Sequence, residues 1–374
     1  MTAKPVEPIA FIDLNAQRKV LGNKVNKALD KIVDSCAFIM GPEVGELENK
    51  LSTYCGVKHT LSCASGTDAL VLALMAKDVG VGDAVFVPSF TFVATAEAVV
   101  LLGATPVFVD VRPDTFNMDV EDLKKAISFA KKSGLNLKAI IPVDIFGQPA
   151  DYDAIAPIAK DENMFIISDA AQSFGATLNG KKVGNIVDIT CTSFFPAKPL
   201  GCYGDGGAVF YNDDNLVEPL KSIRIHGMGK EKYDNIRIGI NGRLDTMQAA
   251  ILLLKMDIFD DELPQRNLVA KKYREGLPMY SHQSVMSNAT SVWAQYTMLT
   301  DRRDELQAFL KEKGVPTAAY YPKPVHMQTA YAKYSKRALP VCERLAEQVI
   351  SPPMHPYMNE NTQDYIIESF KAFK

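Results

Sequence analysis

The chain has 374 residues, a mass of 41.1 kDa and a formal net charge of −3. At about 150 residues per domain, this length predicts one large domain and one smaller domain, and the balanced charge makes nucleic acid a poor partner. Apolar residues make up 47% of the chain, which is ordinary for a globular protein with a sizeable core. The apolar run at residues 69–76 is far shorter than the roughly 20 residues that a membrane span needs.

Cysteine and histidine usage favours a reduced cytoplasmic protein without a metal. The six cysteines form no C-x-x-C pair, and the five histidines are scattered; neither pattern is typical of a zinc site or a disulfide scaffold. The first ten residues contain no apolar signal core, so we expect no secretion and no membrane association.

The first 250 residues alternate between short β-type runs and helical runs. The predicted strands are residues 61–63, 84–87, 106–110, 139–143, 165–168, 189–195 and 208–211. The predicted helices between them include residues 67–77, 94–102 and 120–132. Apolar strands that alternate with helices are typical of an α/β fold with a mainly parallel sheet, covered on both faces.

The sequence changes character after about residue 245. Residues 246–259 form an apolar helical run, charged residues follow at 260–274, and residues 292–299 are a strand candidate in a more mixed α/β segment. This change predicts a large domain over residues 1–255 and a smaller C-terminal domain over residues 256–374.

Three segments that follow predicted strands carry residues suited to chemistry, and ligands of open α/β sheets bind at the carboxyl ends of strands. Gly66 and Thr67 open a helix whose free N–H groups can bind an anion; an ordinary helix cap explains the same residues. Asp169 and Gln172 follow another strand and can address two edges of a planar ligand, although a turn Asp is the simpler interpretation. Lys198 lies among apolar, Pro and Gly residues, where partial desolvation would favour its nucleophilic neutral form.

Together these segments supply what pyridoxal 5′-phosphate (PLP) requires: an anion cradle, an acid for the pyridine nitrogen and a Schiff-base lysine. Phe90 and Phe92, which follow a third strand, offer an aromatic face for the ring. We expect core packing to account for one of the two.

Five motifs in this order, SGTDAL, PSFTFVAT, SDAAQSFGA, SFFPAKPLGCYGDGGA and GINGRLDTMQAAIL, resemble the DegT/DnrJ/EryC1/StrS family of nucleotide-sugar aminotransferases. The resemblance runs from Phe11 to beyond His355. It implies the fold type I (aspartate aminotransferase-like) architecture, with a mainly parallel seven-stranded sheet in the large domain and a smaller C-terminal α/β domain. It also implies a homodimer with active sites at the subunit interface, L-glutamate as donor and 2-oxoglutarate as its product.

The resemblance implies a role for individual residues. Lys198 is similar to the lysine that binds the cofactor, Asp169 to the partner of the pyridinium nitrogen and Gln172 to the partner of the ring 3-hydroxyl. Residues similar to the family's phosphate ligands are Gly66, Thr67, Ser193 and, lent to the neighbouring subunit, Asn241. Phe92 is similar to the ring-stacking aromatic. Family members with His in place of the lysine act as dehydratases, and Lys198 argues against that branch.

The resemblance is strongest to the 3-aminotransferases that act on UDP-2-acetamido-2-deoxy-3-oxo-D-glucuronate in O-antigen, lipopolysaccharide and capsule synthesis. Arg243 is a candidate to clamp the glucuronate carboxylate with paired hydrogen bonds, with an ion pair to Asp245 as the alternative. The segment with Tyr320, Tyr321 and His326 resembles the family's substrate-facing loop. That branch has His where this chain has Tyr320, and lacks His at position 326. His226 also matches a family motif, and its role could be structural.

Three alternatives remain open. A C-4 aminotransferase acting on a UDP- or dTDP-4-keto-6-deoxy sugar would use the same chemistry. A PLP-binding regulatory protein would bind the cofactor without turnover. A Rossmann nucleotide-sugar dehydrogenase would need a G-x-G-x-x-G turn after the first strand, and residues 64–67 read ASGT.

Overall fold

The computed structural model describes residues 8–231 and 233–374. The strands are β1 His59–Cys63, β2 Asp83–Pro88, β3 Thr105–Val109, β4 Asn136–Ile140, β5 Phe165–Asp169, β6 Thr177–Leu178, β7 Lys181–Lys182, β8 Ile189–Ser193, β9 Gly207–Tyr211, β10 Ser281–His282, β11 Met298–Leu299 and β12 Val349–Ile350. The α-helices are α1 Leu14–Leu21, α2 Lys24–Ser35, α3 Pro42–Cys55, α4 Gly66–Ala76, α5 Ala94–Leu101, α6 Val120–Lys132, α7 Tyr152–Asp161, α8 Val217–Arg224, α9 Thr246–Gly276, α10 Arg303–Glu312, α11 Pro340–Gln348 and α12 Glu360–Lys371.

Seven strands form the central sheet in the order β1-β9-β8-β5-β4-β2-β3. The pairs β2–β3, β2–β4, β4–β5 and β5–β8 are parallel, whereas β9 runs antiparallel to both β8 and β1. The prediction of a mainly parallel seven-stranded sheet is therefore confirmed. The carboxyl ends of β1, β2, β5 and β8 lie at one edge, and the predicted chemical segments follow these ends.

Alternating side chains of β2 illustrate why the sheet is covered on both faces. Val85 and Val87 pack into a core with α4, α5 and α8. Ala84 and Phe86 point the other way, into a core with α6 and α7. This period of two is the pleat of a strand that is buried on both sides.

Helix α9 differs from the prediction, because it does not end near Phe259 but continues through the charged residues to Gly276. Its first half, including Leu252 and Phe259, packs against α3 and the aromatic side chains beside the sheet. Its second half, including Tyr273, packs into the C-terminal core. The charged residues lie mainly on the outer face of one amphipathic helix. Position 255 therefore lies inside a continuous helix, and the division into residues 1–255 and 256–374 stays a prediction.

The C-terminal part contains a three-stranded antiparallel sheet, in the order β10-β11-β12, with α10, α11 and α12. The predicted strand at residues 292–299 is wrong except at its end, where β11 lies. The preceding residues instead follow the 3₁₀ turn Ile145–Gly147, because Val292 N–H donates to the Gly147 carbonyl at 2.9 Å. Trp293, with φ of 49°, bends the backbone away from strand geometry.

Phe259 joins α9 to the aromatic core, so its truncation tests this packing. Its ring lies 5.5 Å from that of Phe174 and 5.9 Å from that of Tyr54. We expect Phe259→Ala to lower the free energy of unfolding by about 3–5 kcal/mol, measured by urea denaturation. The control Leu268→Ala, on an exposed face of the same helix, should change it by less than about 0.5 kcal/mol. Equal losses of unfolding free energy in Phe259→Ala and Leu268→Ala would contradict this packing.

Candidate active site

A cleft of about 650 Å³ opens at the carboxyl edge of the sheet. The cleft is lined by nine of the residues singled out from the sequence: Gly66, Thr67, Phe92, Asp169, Gln172, Ser193, Lys198, Tyr320 and Tyr321. They come from four strand ends and from one C-terminal segment. The fold therefore brings together residues that are up to 255 positions apart, from Gly66 to Tyr321.

The amino end of α4 forms one end of the cleft. The Ser65 hydroxyl accepts the Asp68 N–H at 3.0 Å, so it caps the helix, as the simpler interpretation of this motif predicted. Gly66 lies so close to Ser193 that an added Cβ would stand 2.7 Å from the Ser193 Cβ. This close approach places the free N–H groups of the first helical turn beside the Thr67 and Ser193 hydroxyls, which together suit a phosphate.

Asp169 ends β5 in the middle of the sheet, and its carboxylate is buried. Oδ2 accepts the Thr95 hydroxyl at 2.7 Å, and Oδ1 accepts the Ala171 N–H at 3.2 Å. Burial raises the pKa of Asp169, whereas these two hydrogen bonds and the charge of Lys198 lower it in part. A protonated ring nitrogen would offset the desolvation of this carboxylate.

Gln172 is held at both ends of its amide. Its Oε1 accepts the Phe146 N–H at 2.7 Å, and its Nε2 donates to the Tyr321 hydroxyl at 3.0 Å. Phe146 adopts a left-handed φ of 62° to present that N–H. These two bonds therefore hold the Gln172 amide in one orientation in the cleft.

Lys198 lies in the tight turn that follows β8. The backbone N–H of Lys198 donates to the Phe195 carbonyl at 2.8 Å. Gly201 permits this turn, since an added Cβ would stand 2.5 Å from the Pro196 carbonyl oxygen. Burial lowers the pKa of the Lys198 amine, and the charge of Asp169 opposes this shift. A lower pKa leaves more of the amine neutral and able to act as a nucleophile or a base.

The two phenylalanines after β2 take different places. Phe90 is fully buried among Phe116, Phe146 and Tyr321, so it belongs to the core. Phe92 is 56% exposed and lines the cleft. Its ring is therefore free to stack on a planar ligand.

These residues fit PLP, on the chemistry of the donors that the cleft presents. A helix terminus with two hydroxyls suits the phosphate, a buried carboxylate suits the pyridinium, and an open aromatic face suits the ring. The Lys198 amine suits the aldehyde carbon.

Four predicted residues lie outside this cleft. Asn241 and His226 are exposed on the segment between α8 and α9. Arg243 is half-buried. Within the described residues, its Nε has no hydrogen-bond partner and its guanidinium forms no ion pair. The alternative of an ion pair with Asp245 is therefore not observed.

His326 is buried beside Ser89 rather than in the cleft. Its Nδ1 lies 2.6 Å from the Ser89 hydroxyl, and its Nε2 lies 3.3 Å from Glu343. Val325 N–H also donates to the Ser89 carbonyl at 2.9 Å. In this chain His326 therefore ties the segment with Tyr320 and Tyr321 to the end of β2.

The residues missed from the sequence include one that lies behind the cleft and one that lines it. Thr95, which holds Asp169, stands in the quoted motif PSFTFVAT, and a hydroxyl in the first turn after a strand end was the available signal. Gln295 lines the cleft from the segment that was predicted as a strand. No signal in the sequence marked it, because a buried strand was expected there.

The comparisons with known proteins agree with this geometry. The family model described as the DegT/DnrJ/EryC1/StrS aminotransferase family matches residues 19–371. The chain belongs to this aminotransferase family. It is 48% identical, over 353 residues, to the UDP-2-acetamido-2-deoxy-3-oxo-D-glucuronate aminotransferase of Pseudomonas aeruginosa, covering 94% of this chain and 96% of the relative.

Solved structures of the family agree in fold. The crystal structure of a DegT DnrJ EryC1 StrS aminotransferase from Brucella abortus has a TM-score of 0.95 at 51% identity, covering 98% of this chain and 99% of that chain. NtdA from Bacillus subtilis, solved with bound cofactor PMP, has a TM-score of 0.89 at 26% identity, covering 99% of this chain and 86% of that chain. The protein is thus a PLP-dependent aminotransferase of the fold type I architecture. None of its described helices is long and apolar enough to cross a membrane.

The hydrogen bond from Thr95 to Asp169 generates a prediction about pH. Because this bond lowers the pKa of Asp169, Thr95→Val should raise that pKa and move the acidic limb of the kcat/KM profile to higher pH. Losing a hydrogen bond to a charged group should also cost about 1.5–3 kcal/mol, or roughly 10- to 150-fold in kcat/KM at low pH. Thr95→Ser keeps the hydroxyl and should retain the wild-type profile. An unshifted limb in Thr95→Val would contradict the role of this bond.

Proposed function

We propose that this chain transfers the amino group of L-glutamate to the C3 keto group of UDP-2-acetamido-2-deoxy-3-oxo-D-glucuronate, with 2-oxoglutarate as the second product. The observation that carries the proposal is the single cleft that collects Lys198, Asp169, Gln172 and Phe92. The 48% identity to the Pseudomonas enzyme over nearly the full chain supports the choice of sugar.

The residues of the cleft divide the work of amino transfer. Bound PLP supplies an electron sink for the carbanion that forms next to nitrogen. Asp169 would accept the hydrogen bond of the ring nitrogen and keep that nitrogen protonated. Phe92 would cover one ring face, and Gln172 would hold the oxygen-bearing edge of the ring.

Lys198 moves the proton. With its pKa lowered by burial, Nζ can accept the proton from the carbon that carries the amino group of the donor. It can then deliver this proton to the carbon on the other side of the transferred nitrogen. A positioned acid–base group of this kind contributes about 10²- to 10⁴-fold to the rate. The Gly201 turn places Lys198 in the cleft, close enough to Asp169 for the charge of Asp169 to act on the amine.

A second copy of this chain completes the proposed site. Lys198 is the single cation that lines the cleft among the described residues, so the substrate carboxylates need another positive group. Arg243, with an unpartnered Nε, and exposed Asn241 would reach the neighbouring subunit's cleft and bind carboxylate and phosphate. Exposed apolar side chains, among them Phe38, Ile39 and Ile238, support a dimer contact.

The proposed setting is the cytoplasm, where nucleotide sugars for O-antigen, lipopolysaccharide or capsule are assembled. Tyr320 and Tyr321 line the cleft and are proposed as substrate-facing residues. His326 is not carried into this proposal, because its ring is bonded to Ser89 and Glu343.

Product analysis tests the activity and its regiochemistry together. We expect the holoenzyme with L-glutamate to convert the 3-keto UDP-sugar into the 3-amino sugar, identified by nuclear magnetic resonance. Lys198→Ala should lose about 10⁴-fold or more in turnover while it keeps its fold by circular dichroism. Amination at C4 would overturn the proposed substrate, and turnover retained in Lys198→Ala would overturn the role of this lysine.

Mixed dimers test the shared site. Asn241→Ala should weaken cofactor binding, and Lys198→Ala should be inactive. A hybrid of the two has one site that contains both native residues, so activity should return to about half of the wild-type value. A hybrid with no more than half the activity of the Asn241→Ala homodimer, measured at limiting cofactor, would show that Asn241 acts within its own subunit.

A further inference from the structure

Gln295 is an unassigned polar residue in the wall of the active cleft. It lies on the segment between β10 and β11, which reaches the cleft from the C-terminal part of the chain. Among the described residues, its buried Oε1 has no hydrogen-bond partner, and its Nε2 donates to none. A buried amide oxygen without a partner costs about 1–3 kcal/mol.

The buried polar side chains next to Gln295 in this segment have hydrogen-bond partners. Trp293 Nε1 donates to Asn267 at 3.0 Å, the Tyr296 hydroxyl lies 2.9 Å from His282 Nδ1, and the Thr297 hydroxyl lies 2.9 Å from that of Ser351. Among these neighbours, the unpaired amide oxygen therefore belongs to the residue that lines the cleft.

The backbone around Gln295 is tightly held, so the amide is presented in a defined place. Its own N–H approaches the Phe146 carbonyl at 3.5 Å. An added Cβ on Gly147 would stand 2.6 Å from the Trp293 nitrogen, which shows how closely the two segments pack. Preorganisation of this kind lowers the entropy that binding would otherwise cost.

The position of Gln295 identifies the part of the ligand that it meets. Phe146 binds Gln172 through its N–H and approaches Gln295 through its carbonyl. Gln295 thus lies beside the same backbone that holds Gln172, and it is not among the helix-terminus and hydroxyl groups that suit a phosphate. Because the other polar groups of the cleft are already matched to the cofactor, a substituent of the substrate is the partner left for this amide.

We propose that the Gln295 amide binds a polar substituent of the nucleotide sugar next to the reacting keto carbon. The amide offers a donor and an acceptor, which matches a hydroxyl or an acetamido group. This inference rests on the proposed function, because it assumes that the cleft receives a sugar of this class.

The substitution Gln295→Met tests the proposal, because methionine has a similar length and no hydrogen-bonding amide. The product UDP-3-amino sugar is titrated by calorimetry into the protein loaded with the amine form of the cofactor, with which it does not react, and the two half-reactions are followed by stopped-flow absorbance. We expect the sugar affinity to fall about 5- to 150-fold, and the sugar half-reaction to lose at least tenfold more rate than the glutamate half-reaction. Gln265→Met, the same change at an exposed position, should match the wild type.

Sugar analogues separate the two candidate substituents. If the amide contacts the C4 hydroxyl, Gln295→Met should lower the affinity for a 4-deoxy analogue little further, because the contact is already missing. If the amide contacts the acetamido group, the loss of affinity caused by Gln295→Met should add to the loss caused by the 4-deoxy change. Equal affinity of the wild-type protein and Gln295→Met, or equal losses in both half-reactions, would overturn the proposal. A wild-type protein that does not bind this sugar, yet reacts with glutamate, would overturn the proposed substrate and with it this contact.

Discussion

The buried carboxylate of Asp169 is the constraint on which the site depends. A carboxylate at the end of a central strand is costly unless its charge is matched. The Thr95 hydroxyl and the Ala171 N–H stabilise it in part, and the protonated ring nitrogen of a bound cofactor would provide the remaining partner. In the proposed function, the position of Asp169 would then set where the ring lies and which neighbouring residues could act on it.

The lysine is placed by a different part of the fold. After Lys198, the chain turns back along α9, where Gln248 accepts the Tyr203 N–H at 2.9 Å and the buried Lys255 ammonium lies 4.5 Å from the Tyr203 ring. Helix α9 also carries the packing of the C-terminal core. The segment with Tyr321 lines the same cleft, and the Tyr321 hydroxyl accepts a hydrogen bond from Gln172. One long helix thus connects the lysine turn to the C-terminal core.

Much of this arrangement could be predicted from the sequence, because its determinants are local. Strand periodicity and the polar residues after each strand located Asp169, Gln172 and Lys198. The course of residues 292–297 could not be predicted in the same way, since it depends on contact with the distant Ile145–Gly147 turn. For the same reason Gln295 was missed. His326 was assigned by resemblance to the substrate loop, but its ring is turned away by Ser89, a long-range contact that spacing does not reveal.

The reverse half-reaction tests the central claim most directly, that this cleft exchanges an amino group with a 3-amino sugar. The PLP-loaded protein is mixed with UDP-2-acetamido-3-amino-glucuronic acid and, separately, with a UDP-4-amino sugar, while the absorbance of the bound cofactor is followed. The account predicts loss of the cofactor band with the 3-amino sugar alone. Loss with the 4-amino sugar alone, or no change with either sugar, would contradict it.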